Sequence, residues 1–390
     1  MSLPRYEIDR VPVIVQWDEK AKFKETYGGR GDRVTLEGQM LRPKNAPPSK
    51  TALLAMHPSG LLNMLPMMNA VAAAGLPVLC GGSRYPKNDT ALIMEKVAID
   101  MGAYVRHLKE QLGFEKVVLL GWSGGGSLSL FYQSEAEDPS ITHTPAGDEC
   151  DLTTAKLIPA DGIMQIATHV ARSITLTEWM DASILDENDP DKRDPSLDIF
   201  SGDISAPLSA DFIQRYRAAQ IARSKRIDDW VWERLEALKT NPRGEMERCF
   251  VVHGTKADIR WIDTAIDPND RLPNWTSSGR PGEVSMSPAG LGRYSSLRSW
   301  LSQWSFKHSR ADGPKCAGRT NVPVLVVENS ADEVCTPSHL QRIYDGIRHA
   351  DKEKHVIKGA THYYFDQRDK LAESVGISLD WLRRKNFYDA

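Results

Sequence analysis

Two stretches in which apolar and polar residues alternate, 11–17 and 34–41, open the chain. Alternation with period two buries one face of a strand, so both are expected to pair as an antiparallel start to a sheet. A Pro-rich surface turn fills 43–49, and after it the pattern changes to short apolar runs, each followed by a helical period. The run 51–56 predicts a buried strand, 62–74 a helix stopped by Gly75, and 77–80 the next strand. Asp89 or Thr90 is then expected to cap a long helix reaching about Leu112, with Ile93, Val97, Met101, Tyr104, Val105 and Leu108 on one face. Residues 116–121 read as a continuous buried strand with a helix starting at about Ser123, and 163–167 continues the series.

From about Val170 to Arg319 that rhythm stops, and polar helical segments and turns take over. It resumes with a strand at 322–327, a helix at 338–347, a strand at 354–357 and a final helix at 370–382. Alternating β and α units with near-continuous apolar strands imply an α/β fold, a mostly parallel central sheet covered by helices on both faces. The expected organisation is a core of 1–169 and 320–390 interrupted by an inserted cap, 170–319. Seven of the ten tryptophans fall in that insertion. They are expected mainly to fill its own small core, with an apolar or aromatic substrate contact as the alternative.

Composition narrows the function classes without choosing among enzymes. The 390 residues are 41% hydrophobic and 26% charged, and 49 basic against 52 acidic residues leave a net charge of −3. No global field or polybasic run points to nucleic acid or an anionic membrane. No segment approaches the roughly 18 apolar residues that span a bilayer, and residues 1–17 lack the pattern of a signal peptide. Five cysteines (Cys80, Cys150, Cys249, Cys316, Cys335) are widely spaced with no C-x-x-C pair, which speaks against a disulfide framework or a zinc site. A cytoplasmic protein with no metal is the expectation.

The chemistry centres on Gly121-Trp122-Ser123-Gly124-Gly125, a G-x-S-x-G pattern between a predicted strand and a predicted helix. A sharp turn there holds a serine in a strained backbone, and small neighbours let the chain fold back. The start of the helix favours negative charge developing beside the serine. A nucleophilic serine needs a base and a group that orients the base, and in this topology the order is serine, acid, histidine. Asp332 follows the 322–327 strand, and His362 follows the 354–357 strand after a glycine. The other histidines weighed, His107, His143, His308, His339, His349 and His355, fit helices, polar loops, solvated faces or strand starts. Asp258, after the strand-like 249–252, is a rival acid; it stands much further from His362 than the one-helix, one-strand spacing of Asp332. Glu328 and Glu333 are further candidates.

Two backbone N–H groups are expected to hold an oxyanion: that of Gly124, and one from the loop His57-Pro58-Ser59-Gly60. Proline has no N–H, so Ser59 is the expected second donor, with Gly60 behind it. His57 is expected to fix this loop, and His57, Trp122 and His169 are sited where a substrate would lie.

With His57 closing a strand, the elbow at Ser123, and Asp332 and His362 in order, the sequence resembles the α/β-hydrolase superfamily over about 30–168 and 320–385. The resemblance implies a central sheet of about eight strands, a cap inserted after the sixth, and cofactor-free hydrolysis of an ester, thioester, lactone or amide. His57-Pro58 departs from that family's usual His-Gly pair, and a serine at the elbow argues against haloalkane chemistry. A small-molecule, apolar ester is the expected substrate. Acyl transfer and carbon–carbon bond hydrolysis would use the same triad, and a non-catalytic small-ligand binding protein is the alternative outside enzymes. The apolar-rich insertion is also a candidate dimer surface.

Overall fold

The computed structural model describes residues 5–19, 24, 33–241 and 243–388. The first four residues of the 1–17 stretch therefore lie outside the described residues. Eight strands form one sheet in the order β1-β2-β4-β3-β5-β6-β9-β10. β1 (Ile8–Asp18) and β2 (Arg33–Pro43) pair antiparallel, as does β2 with β4 (Val78–Gly81). β3 (Thr51–Met56), β5 (Lys116–Ser123), β6 (Gly162–Thr168), β9 (Val324–Asn329) and β10 (Lys352–Ile357) run parallel with β4.

Successive side chains of a strand point to opposite faces, and the parallel strands are apolar on both. Ala52, Leu54 and Met56 of β3, with Leu119 of β5 and Val326 of β9, pack on α2 (Met94–Arg106) and α3 (Gly124–Glu137). Leu53, Ala55, Leu120 and Leu325 face the other way, against α1 (Pro66–Ala73) and the last helix, Arg368–Arg384. The expected fold class is the observed one.

Two helix starts differ from the sequence expectation. α1 begins at Pro66 rather than near Leu62, because a proline at the first helical position has no N–H to leave unpaired. α2 begins at Met94, not at Asp89 or Thr90. The Asp89 carboxylate is engaged by Arg172 at 2.6 Å, and its carbonyl accepts from Ser299 Oγ and Gln303 Nε2. The freed helix end is satisfied from a distance: Ser302 Oγ accepts the Met94 N–H at 2.7 Å and donates to Glu95 Oε2 at 2.7 Å.

Between β6 and β9 the chain builds α4 (Arg172–Trp179), the long α5 (Ala210–Lys239) and a two-stranded antiparallel sheet, β7 (Cys249–Val251) with β8 (Tyr294–Ser296). Leu176, Ile227, Val231, Trp300 and Trp304 form a cluster of their own there. Trp179 and Trp261 instead join the cluster under the main sheet, and Trp275 is exposed.

Glu95 is fully buried, and burial pushes its carboxyl up to about 6, against the Ser302 hydrogen bond that lowers it. A carboxyl with a raised folded-state pKa binds more protons in the native than in the unfolded chain. Stability therefore falls as pH rises from about 4.5 through about 6 and levels off above. Glu95→Gln is expected to remove the part of that decline that falls between pH 5 and pH 8, about 1 kcal/mol, read by urea unfolding at those two pH values. An unchanged slope in the variant would refute the assignment.

Candidate active site

β5 ends in Ser123, whose backbone takes φ 53° and ψ −130°, a left-handed strain seldom accepted by a non-glycine residue. The strain is held by close packing. A Cβ on Gly125 would lie 2.3 Å from the Met56 carbonyl oxygen, and one on Gly126 2.3 Å from Thr168 Cβ. The register between β5 and β6 slips at this point, pairing Trp122 with Ile166 but Ser123 with Thr168. The extra residue, Ala167, has φ 48°, and the resulting bulge lets the His169 N–H donate to the Ser123 carbonyl at 3.0 Å. Ser123 is 7% exposed, and its hydroxyl is hydrogen-bonded to no other described residue.

Asp332 and His362 come from the loops after β9 and β10. Those loops are stitched together before either side chain is considered. Ala331 N–H donates to the Ala360 carbonyl at 2.8 Å, Gly359 N–H to Ser330 Oγ at 2.8 Å, and Asn329 Nδ2 to the Thr361 carbonyl at 2.9 Å. Asp332 is fully buried. Its Oδ1 accepts the N–H groups of Val334 at 2.7 Å and Cys335 at 2.8 Å, and its Oδ2 lies 2.7 Å from His362 Nδ1. The Trp122 ring lies tilted against the His362 ring, 4.5 Å between centroids, and its Nε1 donates to the His362 carbonyl at 3.2 Å. Trp122 thus backs the imidazole and its loop.

Asp258, the rival acid, is elsewhere. It starts the short helix Ile259–Ile262 and accepts from Arg217 Nη2 at 2.8 Å and Arg260 Nε at 2.8 Å. Burial opposes its ionisation, but Arg217 and then Arg260 outweigh it and hold the carboxyl below its usual range. Arg260 also binds Glu178, which takes His339 Nε2 at 2.7 Å. His339 is therefore fully buried in an ion network, not on the solvated face expected of it, because Glu178 from the end of α4 reaches down to it.

The expectation for Ser59 is corrected. Its N–H donates to His57 Nδ1 at 3.3 Å, and Gly60 N–H donates to the same nitrogen at 3.0 Å. Both groups are turned onto the histidine. His57 itself reaches the residue after the serine: its Nε2 would lie 2.8 Å from a Cβ on Gly124. His169 is buried, with Nδ1 at 3.0 Å from Thr175 Oγ1 and its ring 6.4 Å from that of His362 and 5.9 Å from that of Trp179. Burial, then charge on neighbouring groups, pushes His57 down to about 3 and His169 well below the ordinary histidine range. Arg172, which no motif singles out, also comes to Gly124, with Nη1 3.3 Å from the same Cβ position. Its signal in the sequence was only its place three residues past His169, shortly after a strand.

Asp332, Cys335 and His362 offer ligand atoms within 4.8 Å of one another. Both Asp332 oxygens already accept hydrogen bonds, and burial followed by Asp332 and Glu333 pushes the Cys335 thiol far up. The trio is satisfied as a hydrogen-bonded group.

No family model and no curated sequence matches the chain. Among solved structures it is similar to the alpha/beta hydrolase GrgF from Penicillium sp. sh18, at 13% identity over 96% of this chain and 99% of that one, TM-score 0.50. The monoacylglycerol lipase of Paleococcus ferrophilus is 15% identical over 97% and 99%, TM-score 0.44. The proline iminopeptidase of Mycobacterium smegmatis is 16% identical over 90% and 95%, TM-score 0.45. At such identities the likeness speaks to the fold alone.

Breaking a buried ion pair from one side leaves an uncompensated charge. Asp258→Ala is accordingly expected to cost about 3–5 kcal/mol of stability in urea unfolding. A loss under about 1 kcal/mol would show that the Arg217–Asp258–Arg260 cluster is not a structural anchor.

Proposed function

The chain has the α/β-hydrolase fold, and from that premise we propose that it is a serine hydrolase cleaving a carboxylic ester through an acyl-enzyme. The observation that carries this reading is the 2.7 Å His362 Nδ1–Asp332 Oδ2 bond on the loops beside a strained Ser123. With Nδ1–H given to a carboxylate, His362 keeps a lone pair on Nε2 and is a base. Ser123 Oγ attacks the acyl carbon, its proton passes to His362 Nε2, and Asp332 stabilises the imidazolium. The carbonyl π pair moves onto oxygen beside the Gly124 N–H, the first of a helix and taken by no helical carbonyl. Collapse expels the alcohol with the proton from His362, and water repeats the sequence to release the acid.

The rings of Trp122 and Tyr363 beside His362, and of Trp179 beside His169, support an apolar acyl or alcohol group. Arg172 and Trp179 belong to the segment between β6 and β9, which supports a role for it in covering the site and excluding water. Thioesters and lactones fit the same chemistry. Among the described residues no helix is long and apolar enough to cross a membrane.

A fluorophosphonate probe, followed by mass spectrometry, is expected to label Ser123, and Ser123→Ala to lose both labelling and turnover of p-nitrophenyl esters. Asp332→Asn is expected to lower kcat by about 10⁴-fold, because the imidazole would then be held in the wrong tautomer. Turnover surviving in Ser123→Ala would overturn the reading.

A further inference from the structure

The correction at Ser59 leaves the oxyanion with one backbone donor, and the structure supplies others from side chains. His57 Nδ1 accepts the N–H groups of Ser59 and Gly60. A nitrogen that accepts two N–H bonds carries no proton, so the proton of the neutral ring is on Nε2. Nε2 is the atom 2.8 Å from the Cβ position of Gly124. Only glycine leaves room there, and the space it leaves is next to the attacking serine.

Arg172 is held the same way. Its Nε donates to Gln303 Oε1 at 3.0 Å, its Nη2 to Asp89 Oδ2 at 2.6 Å, and its guanidinium lies 4.2 Å over the Trp304 ring. The residue is 4% exposed, yet Nη1 is hydrogen-bonded to no described residue. That atom is the second neighbour of the Gly124 Cβ position, at 3.3 Å. Two N–H donors, one of them cationic, thus meet at the Cβ position of Gly124, the first residue of α3, with no acceptor among them. Donors crowded together and left unpaired are unfavourable until an acceptor bearing negative charge arrives.

We propose that His57 Nε2–H and Arg172 Nη1–H, together with the Gly124 N–H, bind the oxyanion formed when Ser123 attacks. The proposal rests on the reading of Ser123 as nucleophile. As the Ser123 Oγ–carbon bond forms, the carbonyl π pair moves onto oxygen and the serine proton goes to His362. The new alkoxide takes three N–H bonds that the neutral carbonyl oxygen draws on weakly. When the carbonyl re-forms, the leaving oxygen takes the proton from His362 and the donors relax. Interactions gained only in the transition state raise kcat rather than lower KM. The side chains also explain how the loop works with Pro58 in it: Ser59 and Gly60 act through the ring they orient.

His57→Phe keeps a ring of similar size without a donor, and His57→Gln keeps a donor at similar reach. With the p-nitrophenyl ester that the wild type turns over fastest, His57→Phe is expected to lower kcat by about 10²–10³-fold with KM within about threefold. His57→Gln should recover at least about tenfold of that loss, and inhibition by an alkyl trifluoromethyl ketone should weaken in step with kcat. Arg172→Lys keeps the charge but cannot hold Gln303, Asp89 and the oxyanion together, and is expected to lower kcat about tenfold or more. It carries the test if His57→Phe does not fold, as judged by thermal melting. Variants with kcat within about threefold of wild type, or with KM raised and kcat intact, overturn the proposal, since the latter is uniform binding. Those outcomes alongside an inactive Ser123→Ala would leave the serine reading standing. Activity in Ser123→Ala would remove that reading by itself.

Discussion

The backbone closeness at the end of β5 is the constraint on which the site depends. Gly121, Gly125 and Gly126 each lie where a Cβ would come within 2.7 Å of other backbone or a fixed side chain. β3, β5, β6 and the start of α3 therefore share a volume that no side chain could enter. The consequence is chemical. His57 is the first residue past β3, Ser123 the last of β5, and His169 the first past β6. Packing the strand ends this tightly brings those three residues together, at the carboxyl edge where open α/β sheets bind ligands. Asp332 and His362 join them from the next two strands, on loops pinned to each other by backbone bonds.

The sheet, the strained turn at Ser123 and the contact between Asp332 and His362 were legible because local rules and global fold agree there. Apolar runs of strand length, a glycine elbow and two loop residues after strands all point the same way. What was not legible depended on contacts distant in sequence. The start of α2 moved to Met94 because Arg172 and Ser302 compete for Asp89 and the helix end. Ser59 was a reasonable donor until its N–H met the His57 ring, and ring orientation leaves no trace in a one-dimensional pattern. Asp258 reads like a strand-end acid, yet it is claimed by Arg260 of the short helix it starts and by Arg217 of α5, a helix that periodicity alone does not dock.

The segment between β6 and β9 is joined to the sheet by polar groups as much as by apolar area. Ser302 caps α2, Gln303 and Asp89 hold Arg172, and Trp261 Nε1 donates to the Glu333 carbonyl at 2.8 Å, next to Asp332. Asn269 Nδ2 reaches the Asp332 carbonyl at 2.8 Å. Hydrogen bonds of this kind add little net stability but leave costly unpaired groups when broken, so they fix one docking geometry. The loop that carries Asp332 is thereby gripped from the segment between β6 and β9, while His362 is gripped by Trp122 from the sheet. Asp332 and His362 are thus positioned by different parts of the chain.

A common device sets what each buried side chain does. His362 has a carboxylate behind Nδ1, which draws the proton to that nitrogen and leaves Nε2 a lone pair. His57 has two backbone N–H groups behind Nδ1, which hold the proton on Nε2. Arg172 has Gln303 and Asp89 behind Nε and Nη2, which leaves Nη1 forward. The same imidazole is therefore a base when an acceptor stands behind it and a donor when donors do. Burial reinforces the difference, since His57, pushed down to about 3, does not take up a proton at neutral pH. Two histidines beside one serine can then carry opposite roles, because the group bonded to the far nitrogen decides which way each faces chemically.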